Sequence, residues 1–230
     1  MGMNRTSSDS TWLRLVTSSL PVAFGYIPLG LAFGVLLTGL GVAWWWATIM
    51  SLVVFAGSAQ FLAVSLLAAG ASPLDAFVAT LLLNLRHIFY GLTLLDRYRA
   101  LGRSRTYAIF GLTDETFSLL AGQPPQKSDR NWVLGLTALN QFWWVAGSTL
   151  GALLGHSIPF STEGLAFALT ALFAVLLVEQ LSRGFRISSL AGAVAAAALC
   201  LVLLPGKYFL IAAIGVSALF LCCLPPRVAE

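Results

Sequence analysis

Charged residues are scarce in this 230-residue chain: they make up 10% of it, whereas ordinary soluble domains carry roughly 25%. Hydrophobic residues make up 58%, and the mean hydropathy is +0.87. The scarcity is uneven, because long windows contain almost no charge. These windows are residues 16–37, 42–71, 74–95, 131–155, 165–178, 187–204 and 208–224. So many apolar windows cannot all form the core of one small domain, which excludes a soluble globule.

Most of the apolar windows reach the length of a membrane-spanning helix, which needs about 20 residues. The alternating pattern of a β-barrel is absent, and lipid tolerates only helices and closed barrels. We therefore predict an all-α fold, a polytopic integral membrane helix bundle of about 7–8 segments with one or two broken or re-entrant helices. A single membrane domain is expected over residues 15–224, between a polar tail at 1–14 and a C-terminal tail at 225–230. This describes a multi-pass protein of the plasma or inner membrane.

Cysteine and histidine are rarer than charged residues, with three and two in the chain. Cys200, Cys222 and Cys223 lie in apolar runs without CxxC spacing, so we expect neither a disulfide framework nor a metal site. The GxxxxGK[ST] phosphate loop is absent, which argues against ATP hydrolysis by this chain. A net charge of +4 fits cytoplasmic loops rather than nucleic-acid binding. We predict no cofactor, and we place the function inside the bundle, in contact with the lipid bilayer.

Basic residues in short loops mark the cytoplasmic side of a membrane protein. Here they cluster before residue 15, at 97–105, at 127–130, at 183–186 and at Arg227. If the first three apolar windows each crossed once, the first two clusters would lie on opposite sides. All clusters can share one side only if some segments do not span simply.

Two segments are candidates for such breaks. "PVAFGYIPLGLAFG" (21–34) contains two prolines and several glycines, and proline removes a helical hydrogen bond. Residues 106–122 are short and contain Asp114 and Glu115, and Thr113 has the spacing of a helix cap. We predict breaks in both segments, with a helix starting near Asp114 and the two tips meeting near the polar part of residues 84–91.

Arg86 is the most unusual residue of the apolar windows. It lies in "LLLNLRHIFYGLTLL" (81–95), where an arginine near the bilayer midplane costs roughly 2.5–3.5 kcal/mol. We expect it to pair with Asp114 or Glu115. The pair can be a structural lock between helices or part of a site for a charged or zwitterionic solute, and both readings stay open.

The other polar residues of the apolar windows are candidates for the same site. Asn84 and His87 share one helical face, and histidine titrates near neutral pH, which suits a proton-coupled step. "FAGSAQF" (55–61) supplies Gly57, Ser58 and Gln60, either as a small-residue packing surface or as site residues. Asn140 and Gln141 lie in "TALNQFWW", which repeats a Gln–Phe pair, a weak signal of an internal repeat.

With "PVAFGYIPLGLAFG", "FAGSAQF", "NLRHIFYG" and "LTDETFSLL" in this order, residues 15 to about 205 resemble the AzlC-like branched-chain amino acid permease family. The resemblance implies the large subunit of a two-component exporter, with a small AzlD-like membrane subunit as partner. It also implies valine, leucine, isoleucine and related amino acids as substrates.

A branched-chain amino acid needs donors for its carboxylate, an acceptor for its ammonium and an aliphatic pocket. Arg86 or the amides of a broken helix can serve the carboxylate, and Asp114 or Glu115 the ammonium. The expected pocket lining is Phe24, Tyr26, Phe55, Phe61 and Phe89. Without an ATP site, proton antiport through His87 or a carboxylate is the predicted energy source.

Two other function classes compete with a transporter. A channel would use polar helices too, although usually as rings of repeated residues from a symmetric oligomer. An intramembrane hydrolase would need a nucleophile, and Ser58 with His87 is the available pair. Because "AGSAQ" lacks the GxSxG elbow, we do not predict an enzyme.

Overall fold

The computed structural model describes residues 6–121, 129–157, 178, 187–203, 212–213, 215–217 and 219–220. All regular secondary structure in this part of the chain is helical, which confirms the all-α class. The helices, in chain order, are α1 (Thr6–Gly39), α2 (Trp45–Val53), α3 (Gly57–Ala68), α4 (Pro73–Asn84), α5 (Arg86–Thr93), α6 (Leu95–Arg99), α7 (Arg105–Phe110), α8 (Asp114–Ala121), α9 (Asp129–Ser157) and α10 (Ile187–Leu203). A 3-10 turn, Gly102–Ser104, precedes α7.

The chain divides into two compact units. Unit 1 consists of residues 1–64 and 86–162, and unit 2 of residues 65–85 and 163–230. Two stretches, Trp12–Gly39 and Pro73–Thr93, are helical, long and apolar enough to cross a bilayer. The number of crossings in the whole chain stays a prediction.

In unit 2, the start of α4 is fixed by a capping box. Oγ of Ser72 accepts from the backbone N–H of Asp75 at 3.2 Å, and the Asp75 carboxylate accepts from the backbone N–H of Ser72 at 3.3 Å. Pro73 occupies the first turn, where its missing N–H leaves no intrahelical bond unmade. The second candidate span therefore begins at a well-defined residue.

In unit 1, the backbones of α1 and α9 are in direct contact at glycine residues. A Cβ atom on Gly147 would lie 2.8 Å from the carbonyl oxygen of Ile27, which is too close for any side chain. On Gly34 or Gly151 it would overlap the backbone of the facing helix. Small residues four apart are the usual means by which membrane helices approach this closely.

The α1–α9 pair is parallel. Leu15 contacts Gly135 near the first turns of the two helices, and Val35 contacts Gly155 near their last turns. We call the side of Leu15 and Gly135 the amino end of the pair, and the side of Val35 and Gly155 its carboxyl end.

The break expected in residues 21–34 is wrong, because α1 continues through Pro21 and Pro28. Gly30 and Gly34 of that motif form the contact with α9 instead of interrupting the helix. Proline is tolerated within membrane helices when neighbouring groups satisfy the freed backbone. The same residue types can therefore mark a break or a close helix contact, and here they mark the contact.

The break in this half of the chain lies at residues 54–56, between α2 and α3. Along α2 the contacts move toward the middle of α9: Thr48 bonds to Thr149 at 2.8 Å, and the Leu52 carbonyl accepts from Gln141 at 3.1 Å. The chain then turns at Phe55, whose φ of 43° is unusual for a residue with a side chain.

After this break, α3 returns toward the carboxyl end of the pair. The ring of Phe55 lies 6.5 Å from that of Tyr26, whereas the ring of Phe61 lies 5.8 Å from that of Phe33. Phe33 is about two turns further along α1. In unit 1, α2 and the first turns of α3 therefore form a helical hairpin that reaches the middle of the pair from its carboxyl end.

The break expected within residues 106–122 is confirmed, at 111–113 between α7 and α8. α7 begins near the amino end, where Ser104 accepts from Arg130 at 2.8 Å, and reaches the middle of α9, where Tyr107 donates to Gln141 at 2.8 Å. α8 then leads back to Leu120, which packs in a cluster with Leu15. This second hairpin approaches from the amino end.

Among the described residues, the arginines of unit 1 other than Arg86 gather at the amino end of the pair. Leu94, Tyr98 and Leu101 pack with Leu15, and the arginine-rich segment 97–105 lies among them. The Arg97 guanidinium is buried and donates to the carbonyl of Leu120, the last turn of α8. The structure thus brings the basic clusters around residues 14, 97–105 and 130 to one end, as expected of a cytoplasmic face. Lys127, the 183–186 cluster and Arg227 lie outside the described residues.

Candidate functional site

Arg86 connects the starts of α3 and α8. Its Nη1 lies 2.8 Å from Oδ2 of Asp114, the first residue of α8. Its Nη2 donates to Oγ of Ser58, the second residue of α3, also at 2.8 Å. The side chains of Arg86 and Asp114 are 33% and 18% exposed. The predicted ion pair is confirmed, and Asp114 is the partner.

The surroundings of this ion pair favour an anion. The first-turn N–H groups of a helix have no acceptor within the helix, and its N-terminus carries about half a positive charge. Arg86 joins two such ends, and its Nε meets no hydrogen-bond acceptor among the described residues. Asp114 therefore neutralises only part of the positive charge that collects here.

The start of α8 is capped by Thr113. Its Oγ1 accepts from the backbone N–H of Thr116 at 3.3 Å, and its carbonyl accepts from Phe117 at 2.8 Å. This confirms the helix start predicted at Asp114. The cap of Thr113 thus engages the N–H group of Thr116, the third residue of α8.

A buried chain of polar groups leads from Glu115 to α9. The hydroxyl of Tyr26 lies 2.6 Å from Oε2 of Glu115 and 2.8 Å from Oγ1 of Thr113. Thr113 and Thr116 are 3.0 Å apart, and Nδ2 of Asn140 donates to Thr116 at 3.0 Å. Tyr26, Thr113, Thr116 and Asn140 are all buried. The chain joins α1, α8 and α9 at the middle of the helix pair.

Gln60 and Gln141 satisfy the backbone at the 54–56 break. Oε1 of Gln60 accepts from the N–H of Ala56 at 3.3 Å, and Nε2 of Gln141 donates to the carbonyl of Leu52 at 3.1 Å. Gln60 and Gln141, two of the candidate site residues, thus bond to backbone groups that the interrupted helix has released. Their matching position in the two Gln–Phe motifs has a shared structural use.

A second buried network surrounds Gln60. Trp144 donates to Oε1 of Gln60 at 2.9 Å, and Nε2 of Gln60 donates to Oγ of Ser51 at 3.2 Å. Ser51 donates in turn to Ser148 at 2.8 Å, and Ser148 to the carbonyl of Trp144. Gly57 packs directly on the Trp144 ring, as the small-residue reading of its motif predicts.

Two further candidate residues lie on α5 and α4. His87 lies on α5 with its ring 5.4 Å from that of Tyr90, which stacks on Phe117 of α8 at 4.3 Å. Asn84 is the last residue of α4 and belongs to unit 2. The proton role suggested for His87 stays a prediction.

The expected aromatic pocket is only partly assembled. Phe24 is 80% exposed and Phe89 66% exposed, so both point away from the interior of unit 1 and their placement in the pocket is wrong. Tyr26, Phe55 and Phe61 are buried as expected. Both misplaced residues lie on the outward faces of their helices, which a sequence motif does not distinguish.

Sequence reasoning missed several residues of the site. Thr116, Trp144, Ser51 and Ser148 all take part in the buried networks. The available signal was spacing: Trp144 and Ser148 are four residues apart on α9, and their glycine neighbours mark the face that meets α1.

Comparison with known proteins gives consistent matches. The model of the AzlC protein family matches residues 21–158. The branched-chain amino acid transport protein AzlC of Bacillus subtilis is 37% identical over 197 residues, which cover 85% of this chain and 78% of the relative. An uncharacterized membrane protein of Helicobacter pylori is 35% identical over 205 residues (88% and 90%). The inner membrane protein YgaZ of Escherichia coli is 32% identical over 184 residues (76% and 75%). No solved structure matches the chain.

Proposed function

The chain belongs to the AzlC family and is a membrane protein, and on this premise we propose that it is a secondary transporter that exports branched-chain amino acids. The observation that carries the proposal is the position of Arg86 between the starts of two interrupted helices. Interrupted helices with their N-termini at a midplane site are a recurring feature of secondary transporters. The relative in Bacillus subtilis is named for branched-chain amino acid transport.

The substrate carboxylate is proposed to bind between α3 and α8. The first-turn N–H groups of α3 and α8 and Nε of Arg86 are the proposed donors. Because Asp114 holds the other side of the guanidinium, the arginine is already oriented before substrate arrives. A pre-oriented donor loses less conformational entropy on binding.

The substrate ammonium is proposed to bind at Glu115, the carboxylate next to the ion pair. Tyr26 fixes this carboxylate through a 2.6 Å hydrogen bond. The aliphatic side chain would then contact the aromatic rings at the hairpin tips. There the ring centroids of Phe55 and Phe110 lie 6.4 Å apart. A short apolar side chain gains roughly 1.5–3 kcal/mol from full burial, so this contact favours leucine or valine over glycine.

The two hairpins of unit 1 suggest how the site could be exposed alternately. The α2–α3 hairpin reaches the middle from the carboxyl end of the α1–α9 pair, and the α7–α8 hairpin from the amino end. α2 has 9 residues, or about 14 Å, which is half of a bilayer core of roughly 30 Å. We propose that both are re-entrant and that each covers the site from one side.

Export against a gradient requires an energy source and, by family resemblance, a partner. We propose proton antiport, because the half-buried carboxylates of Asp114 and Glu115 lie at the site and His87 is on the same helix as Arg86. A small AzlD-like membrane subunit is the proposed partner.

Counterflow of labelled leucine, valine and methionine in proteoliposomes tests the proposal, with the small subunit present or left out. We expect leucine and valine to accumulate, with a rate that depends on an imposed pH gradient. Glycine and a labelled sugar serve as negative controls. Failure of all three amino acids in the presence of the partner, with folded protein verified, would overturn the proposal.

A further inference from the structure

We propose that Glu115 binds the coupling proton and that Tyr26 positions it at one end of a hydrogen-bond chain that ends at Asn140. This rests on the proposed function and names the residues that would link proton binding to transport. The chain consists of the half-buried Glu115 and the buried residues Tyr26, Thr113, Thr116 and Asn140.

Charge balance singles out Glu115 over Asp114. Asp114 forms the 2.8 Å ion pair with Arg86, so a proton on Asp114 would leave a partly buried guanidinium without this counter-ion. Glu115 contacts the neutral hydroxyl of Tyr26 at 2.6 Å. A hydroxyl can donate to a carboxylate and can accept from a carboxylic acid, so this contact survives a change of protonation.

Titratable and charged groups around Glu115 include Tyr26 on α1, Tyr90 on α5 and Asp114 on α8. Arg86 binds Asp114 at 2.8 Å, and the ring of His87 lies 5.4 Å from that of Tyr90. α9 contributes the neutral amide of Asn140. In the proposed site the substrate ammonium binds Glu115, and a proton on the same carboxylate excludes it. Competition between these two for Glu115 is the exchange that antiport requires.

The polarity of the chain can reverse when Glu115 changes protonation. Each hydroxyl carries one hydrogen. With Glu115 ionised, Tyr26 donates to it, Thr113 turns to donate to Tyr26, and Thr116 donates to Thr113. With Glu115 protonated, the acid donates to Tyr26, which donates to Thr113, which donates to Thr116. Only O–H bonds form and break at Glu115, whose proton comes from water on one side and leaves to water on the other.

Asn140 allows the chain to end in either direction. In the orientation described, its Nδ2 donates to Thr116, and its Oδ1 is buried without a hydrogen-bond donor among the described residues. A buried oxygen without a donor costs free energy, and a state in which Oδ1 accepts a hydrogen bond would recover it. Rotation of the amide presents Oδ1 to Thr116, and the reversed chain then has an acceptor. Protonation of Glu115 is in this way transmitted from α8 to α9.

Infrared difference spectroscopy of the purified protein in lipid, recorded during pH titration, tests the proposal without any substrate. We expect a carboxylic acid C=O band that disappears in Glu115→Gln. Tyr26→Phe is expected to shift the band to higher frequency, because the protonated Glu115 loses the hydroxyl to which it donates its hydrogen bond. Thr116→Val is expected to change it as well, since it interrupts the chain without removing the Thr113 cap.

Matched variants control for the loss of a hydroxyl or a carboxyl elsewhere. Tyr98→Phe removes another buried phenol, Thr137→Val another buried hydroxyl, and Asp96→Asn an exposed carboxylate. All three are expected to leave the band unchanged. A band that persists in Glu115→Gln, or that is identical in Tyr26→Phe and the parent protein, overturns the proposal. A band that behaves as expected in a protein that moves no amino acid upholds the proton site and refutes the transport function.

Discussion

Trp144 donates a hydrogen bond from Nε1 to Oε1 of Gln60 over 2.9 Å, and neither side chain is more than 2% exposed. This bond joins α9 to the first turn of α3. The same oxygen accepts from the N–H of Ala56 within the 54–56 break. One side chain therefore holds both a helix–helix contact and an interrupted backbone.

Gln60→Met should destabilise the protein although its volume is nearly conserved. It leaves the Trp144 indole and the Ala56 N–H without their acceptor, and a buried unsatisfied donor costs about 1–3 kcal/mol. Thermal unfolding in detergent measures the effect. In a double-mutant cycle with Trp144→Phe, we expect a coupling of about 0.5–3 kcal/mol. Additive effects would show that the bond does not contribute.

Gly151→Ala should destabilise the α1–α9 pair. Its Cβ would overlap the backbone of Leu31, so the two helices must separate, and overpacking typically costs about 1–3 kcal/mol. Gly25→Ala is the matched control, because nothing lies within 4 Å of a Cβ there. The control should be neutral or stabilising, since alanine is favoured over glycine within a helix by roughly 0.5–1 kcal/mol. Equal unfolding temperatures for the two variants would contradict the contact.

Breaking the Arg86–Asp114 pair should reduce both stability and transport. Arg86→Met or Asp114→Asn leaves one charge without its partner, which costs about 3–5 kcal/mol when fully buried and less at this partly exposed site. Arg86→Asp combined with Asp114→Arg should restore more counterflow than either reversal alone. The recovery is expected to be partial, because an arginine at the first position of α8 opposes the helix dipole. A double reversal no better than the single changes would argue against a direct pairing.

His87→Gln should keep the pH dependence of export if Glu115 carries the proton. Glutamine retains hydrogen bonding but does not titrate, and the pH profile in proteoliposomes is the measurement. Glu115→Gln should flatten that profile. A flat profile in His87→Gln with a normal one in Glu115→Gln would transfer the proton to His87.

Residues 40 and 103 should lie on opposite sides of the membrane. α1 is continuous over Trp12–Gly39, and the arginine-rich segment packs at its amino end. In a protein whose native cysteines are replaced by alanine, Leu40→Cys should react with an impermeant maleimide from outside. Arg103→Cys should react only after the membrane is opened. Labelling of both from one side would contradict the hairpin arrangement.

The sequence predicted those contacts of the site for which the residue types allow few alternatives, namely an ion pair and a helix cap. An arginine in an apolar helix needs a carboxylate, and Asp114 was one of two available in the neighbouring broken segment. Thr113 likewise has the spacing of a cap, and the helix begins where the cap requires. A helix cap depends on residues close in sequence, and a charge in an apolar segment requires a partner of opposite charge. Both can therefore be predicted from one sequence.

The sequence could not locate the first break, because small residues have two uses in membrane helices. Gly30 and Gly34 looked like interruptions but allow α9 to approach, while Gly57 packs on Trp144 and also follows the actual break. The turn itself lies at Phe55, whose positive φ has no sequence signal. Whether such a glycine interrupts a helix or allows a close contact depends on the position of the neighbouring helix. The local sequence pattern does not contain that position.

Tyr26 lies midway between Trp12 and Gly39, the ends of the first candidate span. A charge that it holds on Glu115 therefore sits about halfway through the membrane's electric field. Moving one charge through the whole field is worth about 2.3 kcal/mol per 100 mV, so reaching this depth from either side is worth about half of that. The two halves of a proton's passage are then equally sensitive to voltage, and the membrane potential can drive binding and release alike.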